Sequence, residues 1–252
     1  MNYGVSTSEL KNSAKLFSPG EIKSLGSVLV FAPHPDDESL ACGGLIAMLL
    51  SLNHPVHVIF LSDGSMSHPG SGKFPAAILS KLRAREALSA LALLGVPAGQ
   101  VFFLELKDGS LPHTNSPGFE QAVKTVSQHI KEIQPDTIVL PWRRDTHKDH
   151  RACWHLVNGA LLLSGRSVLA LEYPLWLWER GTIEDLPQND EMEIRSFDIS
   201  PWLPIKEMAI NKHQSQVTCM IDDDPKGFWL SPEVIAHFLV PQEIFLTGIL
   251  PH

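Results

Sequence analysis

The sequence predicts an α/β fold with a mostly parallel sheet. Short apolar runs rich in Val, Ile, Leu and Phe recur along the chain, each with the length of one buried strand. Longer helical patterns separate these runs, and one of them closes at Gly95, as helices commonly do. Strands that alternate with helices build parallel sheets through right-handed crossovers, with helices on both faces. At 252 residues, the chain fits one domain over residues 1–252.

The alternation predicts six strands and six main helices. The strands are expected at 27–32, 56–61, 101–106, 137–141, 168–174 and 191–197. The helices are expected at 39–50, 76–94, 119–133, 151–163, 205–216 and 232–238. Residues 1–26 read as a polar segment with one short helix. After about residue 168 the regular rhythm ends, but neither a repeat nor a second domain boundary is visible.

Composition excludes several classes of protein. The formal charge of −8 and the absence of a basic run argue against a nucleic-acid partner. Three cysteines without a CxxC pair are typical of a reducing compartment. The first residues lack a basic segment followed by an apolar one, and no apolar stretch reaches the ~18 residues of a membrane span. We expect a cytoplasmic protein without a membrane span.

Two clusters of imidazole and carboxylate groups follow predicted strands. The first, His34-Pro35-Asp36-Asp37-Glu38, comes directly after the strand at 27–32. The second, Asp145-Thr146-His147-Lys148-Asp149-His150, comes after the strand at 137–141. Open α/β sheets bind their ligands at the carboxyl ends of strands. Both clusters are therefore predicted to lie at one functional edge of the sheet.

The two clusters together have the composition of a catalytic metal site. Zinc in hydrolases takes three His or carboxylate ligands and leaves a fourth position for water. His34 and Asp37 lie within one tight turn, and His150 completes a His/Asp/His set. Amide hydrolysis also needs groups that move protons, and three remain: Asp36, His147 and Asp149. Asp149 is expected to fix the tautomer of His147. Glu38 is expected only to complement the dipole of the following helix.

These motifs resemble the signatures of the LmbE/PIG-L-type zinc-dependent N-deacetylases. Pro33-His34-Pro35-Asp36-Asp37-Glu38 and Asp145-x-His147-x-Asp149-His150 carry the resemblance. Three further segments fit the family pattern: Arg83-Ala84-Arg85-Glu86, Lys107-Asp108-Gly109, and the stretch 206–216 that ends His213-Gln214-Ser215-Gln216. The resemblance covers residues 27–216 and implies a Rossmann-like fold. It also implies hydrolysis of an N-acetyl group on a small-molecule aminosugar or glycoside.

The resemblance also implies residue roles. Zinc would be bound by His34, Asp37 and His150. Asp36 would be the general base, and His147, with Asp149 behind it, would face the oxyanion or the leaving amine. Arg83 would contact the sugar or a neighbouring group, while Asp63 and Asp108 match more loosely as ligands of hydroxyl groups. Trp142 is placed by its sequence position to stack on a sugar, although core packing is the stronger expectation for it.

Two other functions fit parts of the pattern. A His/Asp/His set also describes non-haem Fe(II) oxygenases, but those are expected on an all-β scaffold. A non-catalytic metal-binding protein would not need both Asp36 and His147. The loop 66–75 is predicted to be either a lid over the site or a plain surface loop. The apolar, Trp-rich segment near residue 175 would suit a contact in a homo-oligomer.

Overall fold

The computed structural model describes residues 12–188 and 191–251, so most of the predicted polar segment at the N-terminus lies outside the described residues. Its strands are β1 (Lys15–Leu16), β2 (Val28–Ala32), β3 (Val56–Ser62), β4 (Val101–Leu106), β5 (Thr137–Pro141), β6 (Val168–Tyr173), β7 (Glu193–Asp198) and β8 (Gln242–Leu250). Its helices are α1 (Pro19–Lys23), α2 (Asp37–Ser51), α3 (Ala76–Leu94), α4 (Phe119–Ile133), α5 (Lys148–Ser164), α6 (Leu177–Arg180), α7 (Leu203–Ile210), α8 (Gln214–Val217) and α9 (Pro232–Phe238).

The predicted α/β fold with a mostly parallel sheet is confirmed. The eight strands follow the order β1-β7-β8-β6-β5-β2-β3-β4. The pairs β1–β7, β3–β4 and β5–β6 are parallel, whereas β8 is antiparallel to both β6 and β7. We did not predict β8, which follows α9, because its antiparallel pairing with β6 and β7 joins segments that are far apart in the sequence.

The contacts divide the chain into two compact units, each assembled from separate segments. Unit 1 comprises 1–29, 112–198 and 242–252, and unit 2 comprises 30–111 and 199–241. Within unit 1, α4 packs against α5; within unit 2, α7 packs against α2 and α3. Because each unit is discontinuous in sequence, a shift in composition along the chain could not have shown the division.

One predicted helix is broken in the structure. The expected helix over 205–216 consists of α7 and α8, separated by a turn at 211–213. His213 lies in this turn with φ −79° and ψ 54°, and it caps α8. The prediction extended the helix through the polar segment 211–216 and was wrong, because the chain turns where the buried His213 ring contacts Glu38 in another segment.

Two surface predictions can be compared with the structure. The loop 66–75 is fastened to Asp222, Asp223 and Asp224, with Ser71 Oγ donating to Asp223 Oδ1 at 2.6 Å and Lys73 Nζ to Asp222 Oδ1 at 2.6 Å. These bonds hold the loop against its own unit. Around residue 175, Leu175 and Leu177 are buried inside unit 1, so they do not offer the surface expected for a subunit contact. Among the described residues, no helix has the length and apolar character to cross a bilayer.

Candidate active site

The first candidate region is the turn that connects β2 to α2, and it belongs to unit 2. The backbone N–H groups of Asp36 and Asp37 both donate to the carbonyl of His34, at 3.0 and 3.3 Å, which closes a tight turn. Asp37 Oδ2 accepts from the backbone N–H of His34 at 2.8 Å and lies 3.2 Å from its Nδ1. The sequence therefore folds the imidazole and the carboxylate onto one another.

The His34–Asp37 pair fits a metal ion. Two ligand atoms bound to a tetrahedral zinc at its usual bond lengths lie about 3.3 Å apart. Nδ1 of His34 and Oδ2 of Asp37 are 3.2 Å apart, so both could face one ion without rearrangement. One imidazole nitrogen and one carboxylate oxygen are also donors that zinc prefers.

Asp108 supports His34 from the other side of the ring. Its Oδ1 lies 3.2 Å from Nε2 of His34, and its Oδ2 accepts from the backbone N–H of Met66 at 2.8 Å. Burial by itself would raise the pKa of Asp108, but the hydrogen bond and charge of His34, together with Arg83, hold this pKa far below its usual value. A carboxylate on one nitrogen of an imidazole fixes the tautomer in which the other nitrogen can bind a metal.

Asp63 shapes the loop that carries Asp108. Its Oδ1 accepts from the backbone N–H groups of Ser65 at 3.0 Å and of Asp108 at 3.2 Å. A short carboxylate that bonds the backbone two residues on is a common way to stabilise a turn. The sequence suggested that Asp63 and Asp108 bind substrate hydroxyls; the bonds seen here serve the site's own framework.

Asp36 is held by Arg83. Nη2 of Arg83 donates to Asp36 Oδ2 at 3.0 Å and to the carbonyl of Pro35 at 2.9 Å, while Nη1 donates to the carbonyl of Gly64 at 2.9 Å. Arg83 is only 3% exposed. Both terminal nitrogens of Arg83 thus donate to groups inside the protein. These bonds give Arg83 a role in orienting Asp36, in addition to the sugar contact that the resemblance implies.

The environment of Asp36 suits a group that exchanges protons. Burial raises the pKa of Asp36 to about 6, against the opposing effect of the Arg83 charge. A general base works best when its pKa lies near the working pH. A divalent cation beside Asp36 would lower this pKa, as the charge of Arg83 does, because it favours the ionised carboxylate.

The second candidate region lies in unit 1, where β5 leads into α5. His147 caps α5, and its Nδ1 accepts from the backbone N–H of Asp149 at 3.2 Å. Because Nδ1 is an acceptor, the neutral ring carries its proton on Nε2. The tautomer of His147 is thus fixed by the backbone of Asp149, whereas the sequence assigned this task to the Asp149 carboxylate. That carboxylate is buried, and its role stays a prediction.

Asp145 is a site residue to which sequence reasoning gave no role. It is fully buried, and its Oδ1 accepts from the backbone N–H of His147 at 2.9 Å and lies 3.5 Å from Nδ1 of His150. Its Oδ2 accepts from the backbone N–H of Trp176 at 2.9 Å. Asp145 therefore orients His150 and leaves the Nε2 of that ring to face a ligand. The motif Asp-x-His already contained this signal, since a carboxylate two residues before a capping histidine can reach its backbone.

Trp142 is part of the core of unit 1. It is fully buried among Leu177, Leu186 and Leu246, and its Nε1 donates to the carbonyl of Asp185 at 2.7 Å. The guanidinium of Arg144 lies 4.6 Å from the ring centroid. Core packing, the stronger of the two expectations, describes this side chain, and its enclosed ring does not present a face to a sugar.

Glu38 is more than the helix-start residue predicted from sequence. It is fully buried, and its carboxylate accepts three hydrogen bonds, from the backbone of Asp36, from Ser39 Oγ and from His213. Sequence reasoning could not find this partner, because His213 lies 175 residues further along the chain.

A family model matches this chain. The family described as GlcNAc-PI de-N-acetylase, or PIG-L, matches residues 29–161, more than half of the chain. The chain belongs to the PIG-L family. The match contains both histidine clusters, and it confirms the resemblance predicted from the motifs.

Individual relatives agree with this membership. The chain is 31% identical to a Bacillus subtilis protein named "Probable N-acetyl-alpha-D-glucosaminyl L-malate deacetylase 2", over 87% of this chain and 96% of that one. It is 26% identical to a glucosamine-6-phosphate deaminase-like protein of Bacteroides thetaiotaomicron over 82% of its own length, but it spans only 38% of that longer protein.

A solved structure shares the PIG-L fold. The N,N'-diacetylchitobiose deacetylase from Pyrococcus horikoshii superimposes with a TM-score of 0.68 at 22% identity, over 92% of this chain and 86% of that one. At this level of identity the similarity concerns the fold.

Proposed function

We propose that this PIG-L protein is a metal-dependent hydrolase that removes the N-acetyl group from an aminosugar or glycoside. The observation that carries the proposal is the turn at residues 34–37. It holds a metal-type pair, His34 Nδ1 and Asp37 Oδ2, directly beside Asp36, a buried carboxylate with a raised pKa. The name of the Bacillus subtilis relative, a glucosaminyl deacetylase, supports the same class of substrate.

In this proposal His34, Asp37 and His150 bind zinc. When bound there, the ion supplies a Lewis acid that lowers the pKa of a water molecule at its open position and polarises the amide carbonyl. Asp108 and Asp145 orient the imidazoles of His34 and His150. These two carboxylates leave one nitrogen of each ring directed away from them.

Protons are moved by Asp36 and His147. Asp36 accepts the proton of the attacking water, and Arg83 fixes the direction of its carboxylate. His147, whose Nδ1 already accepts from the backbone, has its proton on Nε2 and can donate it toward the oxyanion or the departing amine. Asp149 is assigned to His147 as its partner. Together these groups complete the hydrolysis of an amide into an amine and acetate.

The two other functions considered from sequence have less support. The iron oxygenase is expected on an all-β scaffold, and the structure is α/β with a mostly parallel sheet. A passive metal-binding protein gives no reason for a buried Asp36 whose carboxylate is held by Arg83. We place the reaction in the cytoplasm because Cys42, Cys153 and Cys219 are all free thiols, which fits a reducing compartment. A homo-oligomer stays a prediction.

The proposal is tested by acetate release. The zinc-loaded protein is incubated with a panel of N-acetylated monosaccharides, nucleotide sugars and glycosides, and free acetate is quantified. A chelator should abolish acetate release, and added zinc should restore it. If ferrous iron alone restores it, the metal assigned to the site is iron and not zinc. Asp36→Asn should keep the bound metal and lose most of the turnover. Zinc-loaded wild-type protein that releases acetate from no member of the panel would contradict the proposal.

A further inference from the structure

Behind the turn at residues 34–37, unit 2 contains a buried charge pair that no step of the proposed hydrolysis uses. Nε2 of His213 lies 2.9 Å from Oε1 of Glu38, and the side chains are 1% and 0% exposed. Burial alone would lower the pKa of His213, but the Glu38 carboxylate outweighs it and raises this pKa above the usual value. The raised pKa favours the imidazolium form of His213 at this contact.

A buried charge pair is not expected if its only effect were to stabilise the fold. Removing two charges from water costs several kcal/mol for each ion, and an apolar pair of similar volume is often equally stable. What the charged pair provides and an apolar pair cannot is a set of directed hydrogen bonds.

One of these hydrogen bonds reaches Asp36. The second oxygen of Glu38, Oε2, accepts from the backbone N–H of Asp36 at 3.0 Å. Arg83 binds the side chain of the same residue at 3.0 Å. Asp36 has a φ of 155° and a ψ of −27°, a conformation that residues other than glycine rarely adopt. The backbone N–H of Asp36 is shared between the carbonyl of His34, at 3.0 Å, and Glu38, so Glu38 is the side chain that anchors this unusual backbone conformation.

The fold brings His213 to Glu38 through a close approach of two segments. A Cβ atom at Gly44, in the middle of α2, would lie 2.6 Å from Cδ1 of Ile199 and 2.9 Å from its Cγ2. Only glycine at this position lets the segment from Ile199 to α7 lie so close to α2. The turn at 211–213 then ends α7 and directs the His213 ring at Glu38.

We propose that Glu38 and His213 are positioning residues: His213 and Ser39 fix the Glu38 carboxylate, which fixes the backbone of Asp36 and so aims the general base. This inference rests on the proposed function, because it assigns Asp36 the role of base. Neither Glu38 nor His213 contacts the substrate or the metal in this scheme. It also gives a purpose to the His213-Gln214-Ser215-Gln216 motif, which the catalytic steps leave unused.

The decisive variant is Glu38→Gln. Glutamine has the same shape, but its amide NH₂ cannot accept: facing Asp36 it meets a backbone N–H that can only donate, and facing His213 it requires that ring to give up its proton on Nε2. We expect kcat for acetate release to fall roughly 10- to 100-fold, the effect of misplacing a catalytic group by about 1 Å. KM and the bound zinc per chain should stay at the wild-type values.

Glu86→Gln is the matched control. Glu86 is a buried carboxylate of the same unit that accepts from the backbone N–H of Ser215 at 2.8 Å and from Ser215 Oγ at 2.6 Å. Neither of these bonds involves Asp36, so the variant should lower the melting temperature and leave kcat close to the wild-type value. If Glu38→Gln behaves like Glu86→Gln, with lower stability and unchanged kcat, Glu38 is only structural and the inference is overturned.

A second pair of variants keeps the test decisive should Glu38→Gln fail to fold. His213→Gln retains an N–H donor for Glu38, whereas His213→Ala removes it. We expect His213→Gln to keep clearly more of kcat than His213→Ala, at equal zinc content. Equal kcat values in the two variants would overturn the part assigned to His213.

Failure of the proposed function is recognised separately. If the wild-type protein releases no acetate from any substrate, crystal structures of the wild type and of Glu38→Gln carry the test. A displacement of the Asp36 backbone and carboxylate in the variant, with Arg83 in place, supports the positioning role. Superimposable Asp36 residues in the two crystal structures overturn it, whatever reaction the protein performs.

Discussion

The two histidine regions of this protein hold their imidazole rings in place through different interactions. In unit 2, the His34 ring lies between Asp37 and Asp108, and the surrounding groups are charged: Arg83, Glu38 and His213. In unit 1, the carboxylate of Asp145 lies 3.5 Å from Nδ1 of His150, and its other oxygen accepts from the backbone of Trp176. The residues that follow Trp176 cover the apolar cluster around Trp142.

The difference shows how each region achieves rigidity. Buried ion pairs and hydrogen bonds fix the first region, so its geometry depends on particular charged atoms. Aromatic and aliphatic packing, with Arg144 lying over the Trp142 ring, supports the second region. We therefore expect the first region to be sensitive to isosteric changes of charge and the second to changes of volume.

The largest effect is expected from removing a ligand in either region. His34→Ala and His150→Ala should each lose stoichiometric zinc, because a site with three protein ligands binds far more weakly with two. Metal content after dialysis, measured by mass spectrometry, checks this. Asp37→Ala and Asp108→Ala, measured in the same way, identify which carboxylate of unit 2 is the ligand. Full zinc content in His150→Ala would remove unit 1 from the metal site.

A change of volume tests the packing of unit 1. Trp142→Ala should lower the free energy of unfolding by about 3–5 kcal/mol, since a fully buried ring would leave a large cavity. Denaturant titration measures the loss. Trp229, which is 46% exposed, is the control, and its replacement by alanine should have little effect. A small loss for Trp142→Ala would mean that the cluster is not what stiffens this region.

Isosteric changes of the orienting carboxylates compare the regions directly. Asp145→Asn and Asp108→Asn should each weaken zinc binding by about 10- to 100-fold, because an amide no longer fixes the tautomer and orientation of the bound imidazole. Competition with a chromogenic chelator gives the affinities. Equal zinc affinities in wild type and Asp145→Asn would show that Asp145 serves only the turn at His147.

The smallest effect is expected at the ion pair of Arg144 and Glu191. The hydrogen bonds from Arg144 lower the pKa of Glu191 from 4.5 to about 2. A depressed carboxylate pKa stabilises the folded state above pH 4.5, and this contribution is lost as the pH falls toward 2. Because both side chains are partly exposed to solvent, we expect the pair to contribute about 1 kcal/mol or less. Glu191→Gln should lower stability slightly at pH 7 and not at pH 2; an equal difference at both would contradict the assignment.

Much of this fold could be read from local patterns. The predicted bounds of β4, β5, α3, α4 and α9 coincide with those of the structure, since each has a continuous apolar run or a regular helical period. The break between α7 and α8 was missed, because the pattern that defines a helix does not register a turn imposed from outside. The antiparallel β8 was missed because its pairing with β6 and β7 is a long-range property.

The sequence by itself determined the fold class, the family and the residue types of the site, because these depend on short segments whose periodicity and motifs are local. Only the tertiary structure decided which group orients which. It joined Glu38 to His213, Arg83 to Asp36 and Asp145 to His150 and Trp176. The physical reason is that hydrogen bonds and ion pairs act over about 3 Å of space, whatever the number of residues between the partners along the chain.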